Sequence, residues 1–125
     1  MPLKPLKTKE RLNAKIAEIK SLQHRYSAAS VARMSFELAN GIEIRIPELE
    51  PFIFKDHWAA YEYVRSVVKK PLPEAEPIIL DDPWTAFYYA VKIKKERWPA
   101  AEQVLKNNQL EGFWNKYKEK FNIKD

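Results

Sequence analysis

Ile46-Pro47-Glu48-Leu49-Glu50-Pro51-Phe52-Ile53 returns as Leu72-Pro73-Glu74-Ala75-Glu76-Pro77-Ile78-Ile79, and again as Trp98-Pro99-Ala100-Ala101-Glu102-Gln103-Val104-Leu105, each time 26 residues later. The register holds downstream, where Asp56-His57-Trp58-Ala59-Ala60-Tyr61-Glu62-Tyr63 matches Asp82-Pro83-Trp84-Thr85-Ala86-Phe87-Tyr88-Tyr89 and, more loosely, Asn108-Gln109-Leu110-Glu111-Gly112-Phe113. Self-similarity at a fixed period of this size is the mark of a stacked repeat array. One further step back places Ser30 in series with Asp56, Asp82 and Asn108, four candidate helix N-caps.

Each unit reads as a short helix followed by a long one. Pro47, Pro73 and Pro99 suit a first helical turn, where a missing N–H costs nothing and φ is already set. Glu48, Glu50, Glu74 and Glu76 follow at the positive end of that helix's dipole. Apolar residues then recur at helical spacing as Trp58, Tyr61, Val64 and Val68, as Trp84, Phe87 and Val91, and as Leu110, Phe113 or Trp114, Tyr117 and Phe121. Pro71 and Pro73 forbid continuation of the long helix before them.

Upstream the pattern degenerates. Residues 30–39 read as a helix stopped by Asn40-Gly41, with Gly at the C′ position. Ile42 to Ile46 alternates in period two without a pairing partner and reads as an extended connector. Thr8 caps a further helix whose face holds Leu12, Ile16, Ile19 and Leu22, and which closes the array. The expected fold is all-α, tandem two-helix repeats of about 26 residues with an N-terminal capping helix. A basic flexible N-terminus (1–7) precedes a single repeat domain (8–125), with units at about 21–46, 47–72, 73–98 and 99–125.

Composition agrees with one helical domain and excludes several chemistries. The chain has 125 residues, two glycines against nine prolines, and no cysteine. The scarcity of glycine argues against Gly-rich phosphate loops, and the absence of cysteine excludes disulfides, thiolate metal sites and cysteine nucleophiles. No apolar run approaches the ~18 residues of a membrane span and no secretory leader opens the chain, so a soluble, cytoplasmic protein is expected. His24 and His57 lie far apart without a third ligand at metal spacing, and read as solvent-facing. Glu50, Glu76 and Glu102 recur in three units, which points to a repeated structural role rather than catalysis. No catalytic residue, metal or cofactor is expected.

Charge is asymmetric. Residues 1–29 carry seven basic and two acidic side chains, while the remaining 96 balance at 15 of each. Lys4, Lys7, Lys9, Arg11 and Lys15 are the candidate nucleic-acid contacts. Lys92, Lys94, Lys95 and Arg97 cluster at the end of a long helix, where the dipole favours cations. Trp58 and Trp84 read as fillers of the inter-repeat core, whereas Tyr63, Tyr88 and Tyr89 lie at its edge and, with Lys92 and Lys95, form the candidate partner-binding surface.

Over residues 45–106 the Pro-x-x-Glu turn, the Asp-(x)-Trp cap and the Tyr-rich helix ending in Lys-Lys-Glu-Arg-Trp-Pro resemble short tandem helical repeats of tailed-phage proteins. The resemblance implies a phage origin and action in a bacterial cytoplasm, and brings no catalytic residue or ligand with it. The expected function is that of a non-catalytic repeat protein that binds and modulates a host protein. The alternative is nucleic-acid binding through the basic N-terminal segment.

Overall fold

The structure is a computed structural model that describes residues 5–108 and 112–124, with side chains from residue 9 onward. It is all-α, and no strand occurs among the described residues. Helix α1 (Pro5–Ser21) leads through a 3₁₀ turn (Leu22–His24) to α2 (Ala28–Ile42). A 3₁₀ turn (Pro47–Leu49) then runs into α3 (Glu50–Ile53), followed by α4 (His57–Tyr63), which continues as a π-helical segment (Val64–Val68). The same order follows 26 residues on: a turn (Pro73–Ala75), α5 (Glu76–Ile79), α6 (Pro83–Tyr88) and a π-helical segment (Tyr89–Lys94). Helices α7 (Pro99–Asn107) and α8 (Phe113–Lys120) complete the chain.

Each short helix is tied to the long helix after it by one tyrosine. The Tyr63 hydroxyl accepts from the Ile46 N–H at 3.2 Å and donates to Glu50 Oε2 at 2.5 Å. Tyr89 does the same between Leu72 (3.0 Å) and Glu76 (2.7 Å), and Tyr117 between Trp98 (2.7 Å) and Glu102 (2.8 Å). All three side chains are fully buried. The glutamates are held in turn by cations. Arg45 grips Glu50 through two bonds of 2.9 and 3.0 Å, and Arg97 grips Glu102 through two of 2.9 Å. In the middle unit Pro71 stands where arginine would, and Lys94 reaches Glu76 at 3.3 Å instead. Burial would raise the Glu50 carboxyl, but the bonds from Arg45 and Tyr63 outweigh it and hold it below the ordinary range. The Arg97 bond, against burial and with help from Tyr117, lowers Glu102 likewise.

Around these ties the apolar side chains repeat in register. Leu49, Ala75 and Ala101 are buried at one position, and Ile53, Ile79 and Leu105 at the next. Burying an aliphatic side chain of the latter size contributes about 1.5–3 kcal/mol relative to exposure. Ala59, Ala60, Ala86 and Ala90 sit fully buried beside the tyrosines, where a larger residue would push the helices apart. The expected face of α1 is confirmed by the burial of Ile16 and Ile19.

Several boundaries differ from the sequence reading. Asp56 and Asp82 do cap α4 and α6, accepting from the amides of Ala59 (2.8 Å) and Thr85 (3.2 Å). At α2, however, Ser27 is the cap and Ser30 donates its amide to it at 3.1 Å. Asn108 closes α7 rather than opening α8, which starts after Gly112 in a left-handed conformation (φ 69°); Gln109, Leu110 and Glu111 lie outside the described residues. Helix α1 begins at Pro5, so Thr8 lies inside it and Pro5 takes the first-turn position that proline favours. Helix α2 runs through Asn40-Gly41 to Ile42, and the left-handed terminator is Glu43 (φ 57°).

Replacing Tyr89 with Phe keeps the ring but leaves the Leu72 amide unpaired and removes a donor from Glu76. The expected loss is about 1–3 kcal/mol of stability, read from the midpoint of urea unfolding. The pH dependence follows from the same network. Burial, reinforced by the neighbouring glutamate, raises Tyr63 and Tyr89, and Tyr117 is pushed up to about 12 chiefly by burial. Their contribution is intact below the ordinary value of 10; that of Tyr117 is lost as pH rises through about 12, and those of Tyr63 and Tyr89, raised further, are lost at still higher pH. Glu50 and Glu102 are lowered, so their contribution is present above 4.5 and disappears as pH falls below it. Circular dichroism across pH is expected to show both limits, with tyrosinate absorbance of the buried rings appearing together with alkaline unfolding.

Candidate functional site

Two surface features stand out from the packed interior. The first is a cleft of ≈ 160 Å³ at the ends of the two consecutive long helices, lined by Arg65, Lys69, Lys92, Ile93 and Lys95. Arg65 pairs with Glu62 at 2.6 Å. Lys69, Lys92 and Lys95 pair with no carboxylate among the described residues. The Lys92 ammonium lies 5.1 Å above the Tyr88 ring, and Tyr88 in turn packs 4.8 Å from Trp84. Trp84 is 39% exposed and meets the edge of Tyr61 at 5.8 Å. An aromatic strip thus runs into a basic cleft, through Trp84, Tyr88 and Lys92 at i, i+4 and i+8 of one helix.

The backbone at the cleft is unusual. Lys69 (φ 62°) and Lys95 (φ 57°) close their helices in the left-handed region, each donating its amide five residues back, to Val64 (2.7 Å) and Ala90 (2.8 Å). Where a helix ends in this conformation the residue is usually glycine, since a Cβ there costs about 1–2 kcal/mol.

The second feature is a groove of ≈ 290 Å³ between α1 and the end of α2, lined by Arg11, Leu12, Lys15, Leu38, Ile42 and Ile44. Ile42 and Ile44 are 37% and 61% exposed. The period-two alternation expected of an extended connector would set Ile42, Ile44 and Ile46 on one face, but Ile42 is still in α2 and Glu43 turns left-handed (φ 57°), so the chain changes direction there and Ile46 is buried while Ile42 and Ile44 stay at the surface.

Of the expected partner-binding residues, Lys92 and Lys95 are exposed in the cleft and Tyr88 is half-buried beneath Lys92. Tyr63 and Tyr89 are not contact residues. They are fully buried because their hydroxyls find both a donor and an acceptor inside, which removes the cost of burying a phenol. The tryptophans are displaced the other way. Trp58 is half-buried, with Phe36 edge-on at 6.2 Å and Arg33 over its face at 5.0 Å, and Trp84 is exposed. Of the expected nucleic-acid contacts, Lys9, Arg11 and Lys15 are exposed on α1. Lys4 and the Lys7 side chain lie outside the described residues. Arg65 and Lys69 were missed. The available signal was Lys69 and Lys95 at the repeat offset, both just beyond a long helix.

No three His, Cys, Asp or Glu side chains gather as metal ligands among the described residues. His24 is exposed as expected, but His57 is half-buried at the start of α4 with its Nδ1 buried and unpaired. No helix among the described residues is long and apolar enough to cross a membrane. No family model, curated protein or solved structure matches the chain.

The left-handed lysines make a direct stability prediction. Lys95→Gly removes the Cβ strain at φ 57° and is expected to raise stability by about 0.5–1 kcal/mol in urea unfolding, after the extra chain entropy of glycine is deducted.

Proposed function

We propose that the chain is a non-catalytic α-helical binding module whose partner is a protein, docked in the groove between α1 and the end of α2. The observation that carries this reading is the exposure of Ile42 and Ile44 on one apolar floor with Leu12 and Leu38, between Arg11 and Lys15. Two adjacent exposed isoleucines in a concave site gain nothing from water, and contiguous apolar surface rimmed by charge is characteristic of protein contacts. The rim selects the occupant: an apolar segment flanked by carboxylates that meet Arg11 and Lys15. Phosphates alone would leave the apolar floor uncovered, so the same two cations support a protein partner better than nucleic acid. The groove holds only the centre of such an interface, since stable complexes bury about 800 Å² per partner. We extend this reading, on the resemblance of residues 45–106 to phage repeats, to a host protein as the partner, met in a bacterial cytoplasm.

Affinity capture from bacterial lysate is the test, with wild-type protein beside Ile44→Asp and an Arg11→Glu/Lys15→Glu pair. A stoichiometric partner is expected with wild type and at least about tenfold less with Ile44→Asp, the loss typical of a central apolar contact. Capture that is unchanged by Ile44→Asp counts decisively against the groove. Concentration-dependent mass in sedimentation, abolished by Ile44→Asp, would instead assign the groove to a second copy of the chain.

A further inference from the structure

We propose that the basic cleft at the ends of the two long helices binds the phosphates of single-stranded nucleic acid, with Trp84 and Tyr88 offering the surface on which its bases stack. Three observations converge on it. The first is charge without compensation: Arg65, Lys69, Lys92 and Lys95 line one cleft, and among the described residues only Arg65 of the four has a carboxylate partner. Part of the repulsion is relieved by the negative ends of the helix dipoles, and an anion placed between the four relieves the rest.

The second is the choice of residue at the strained positions. Among the described residues, four non-glycines take the left-handed conformation, namely Glu43, Lys69, Lys95 and Asn122. Glutamate and asparagine therefore serve where no such cleft exists, so ending the helix does not require lysine. Lysine stands at the two positions that face the cleft, and both accept a backbone conformation in which glycine would be more stable. The left-handed terminator itself recurs at the 26-residue offset, as Glu43, Lys69 and Lys95, and so belongs to the repeat; what distinguishes the cleft is that both of its terminators carry a cation.

The third is the aromatic approach. Trp84, Tyr88 and Lys92 succeed one another along one helix face over about 12 Å, with Tyr61 packed beside Trp84 and Arg65 one turn beyond Tyr61. An exposed indole leading into a cluster of cations is the arrangement by which proteins hold unpaired strands without sequence preference. Stacking needs bases free of a complementary strand, which sets single strands above duplex.

Anisotropy with labelled oligo(dT) and a duplex of equal length, at 50 and 200 mM salt, tests the proposal on the full chain. Four phosphate contacts on a single strand predict about 50-fold weakening across that range, from a slope of about −0.7 per contact. The Lys69→Gly/Lys95→Gly pair is expected to halve that slope and to weaken binding at 50 mM salt by about tenfold or more. Its thermal midpoint should not fall, which separates lost contacts from lost fold. Trp84→Ala is expected to weaken oligo(dT) about 5- to 150-fold, the range measured for one stacked base. No binding of oligo(dT) at 50 mM salt, or an affinity untouched by the double glycine variant, overturns the proposal. So does binding abolished by Lys9→Glu/Arg11→Glu/Lys15→Glu alone, which would move the strand to α1. Equal affinity for the duplex overturns the stacking component.

Discussion

A proline that opens a helix leaves the amide just before it stranded, and the structure depends on how that amide is satisfied. The residue ahead of proline is forced into an extended conformation, so Ile46, Leu72 and Trp98 cannot place their N–H groups in a helical ladder. All three are buried, and an unpaired amide there would cost about as much as a lost hydrogen bond. The tyrosine 17 residues downstream supplies the acceptor in the first two cases, and the tyrosine 19 downstream in the third. Its own proton goes to the glutamate in the turn that the proline begins. A single buried hydroxyl therefore fixes the angle between short and long helix, and in the first and last units the arginine outside helps hold the glutamate's carboxyl below its ordinary range. The last unit keeps the bond despite two extra residues between its partners, which shows that the hydroxyl's position is the conserved quantity within the chain and the loop length is not.

That tie explains why the aromatic residues are arranged contrary to simple hydrophobicity. Tryptophan carries more apolar surface than tyrosine, yet Tyr63 and Tyr89 are fully buried while Trp84 is 39% exposed. A tyrosine whose hydroxyl is doubly bonded carries no desolvation penalty into the core, and the alanines beside it leave room for the ring. An indole at the first turn of the long helix has no such acceptor and lies at the rim. With the tyrosines committed inside, the outer face of that helix is left to Trp84, Tyr88 and Lys92.

Much of this was legible in the chain. The 26-residue offset located both aspartate caps, the prolines of the short helices and the structural nature of Glu50, Glu76 and Glu102. The partner of those glutamates was also within reach, since Tyr63 and Tyr89 keep the same offset, but a periodicity reading weighs a tyrosine as a half-apolar edge residue and cannot see a satisfied hydroxyl. The third tyrosine was hidden by the displaced register of α8, which equated Phe113 with Phe87. The end of α2 misled for a local reason. Asn40-Gly41 is a strong stop signal, yet the chain continues one residue past it and places Glu43 in the left-handed turn, a position fixed by where Ile46 must enter the core rather than by propensity.

The surfaces were the least legible part, and the physical reason is that they are formed between units. Arg65 and Lys69 belong to one helix end, Lys92 and Lys95 to the next, and neither pair is notable until the 26-residue step sets them around a common space. The groove is assembled in the same way, from one face of α1 and the connector leaving α2. Stacking of near-identical units guarantees that equivalent positions become neighbours, so a modest charge placed once in each unit becomes a concentrated field at their junction. The tie between tyrosine, glutamate and amide leaves those positions free to vary, because none of Arg65, Lys69, Lys92 or Lys95 takes part in it. In this chain stability resides in the residues that repeat along the interior, and recognition in the residues that the repeat brings face to face.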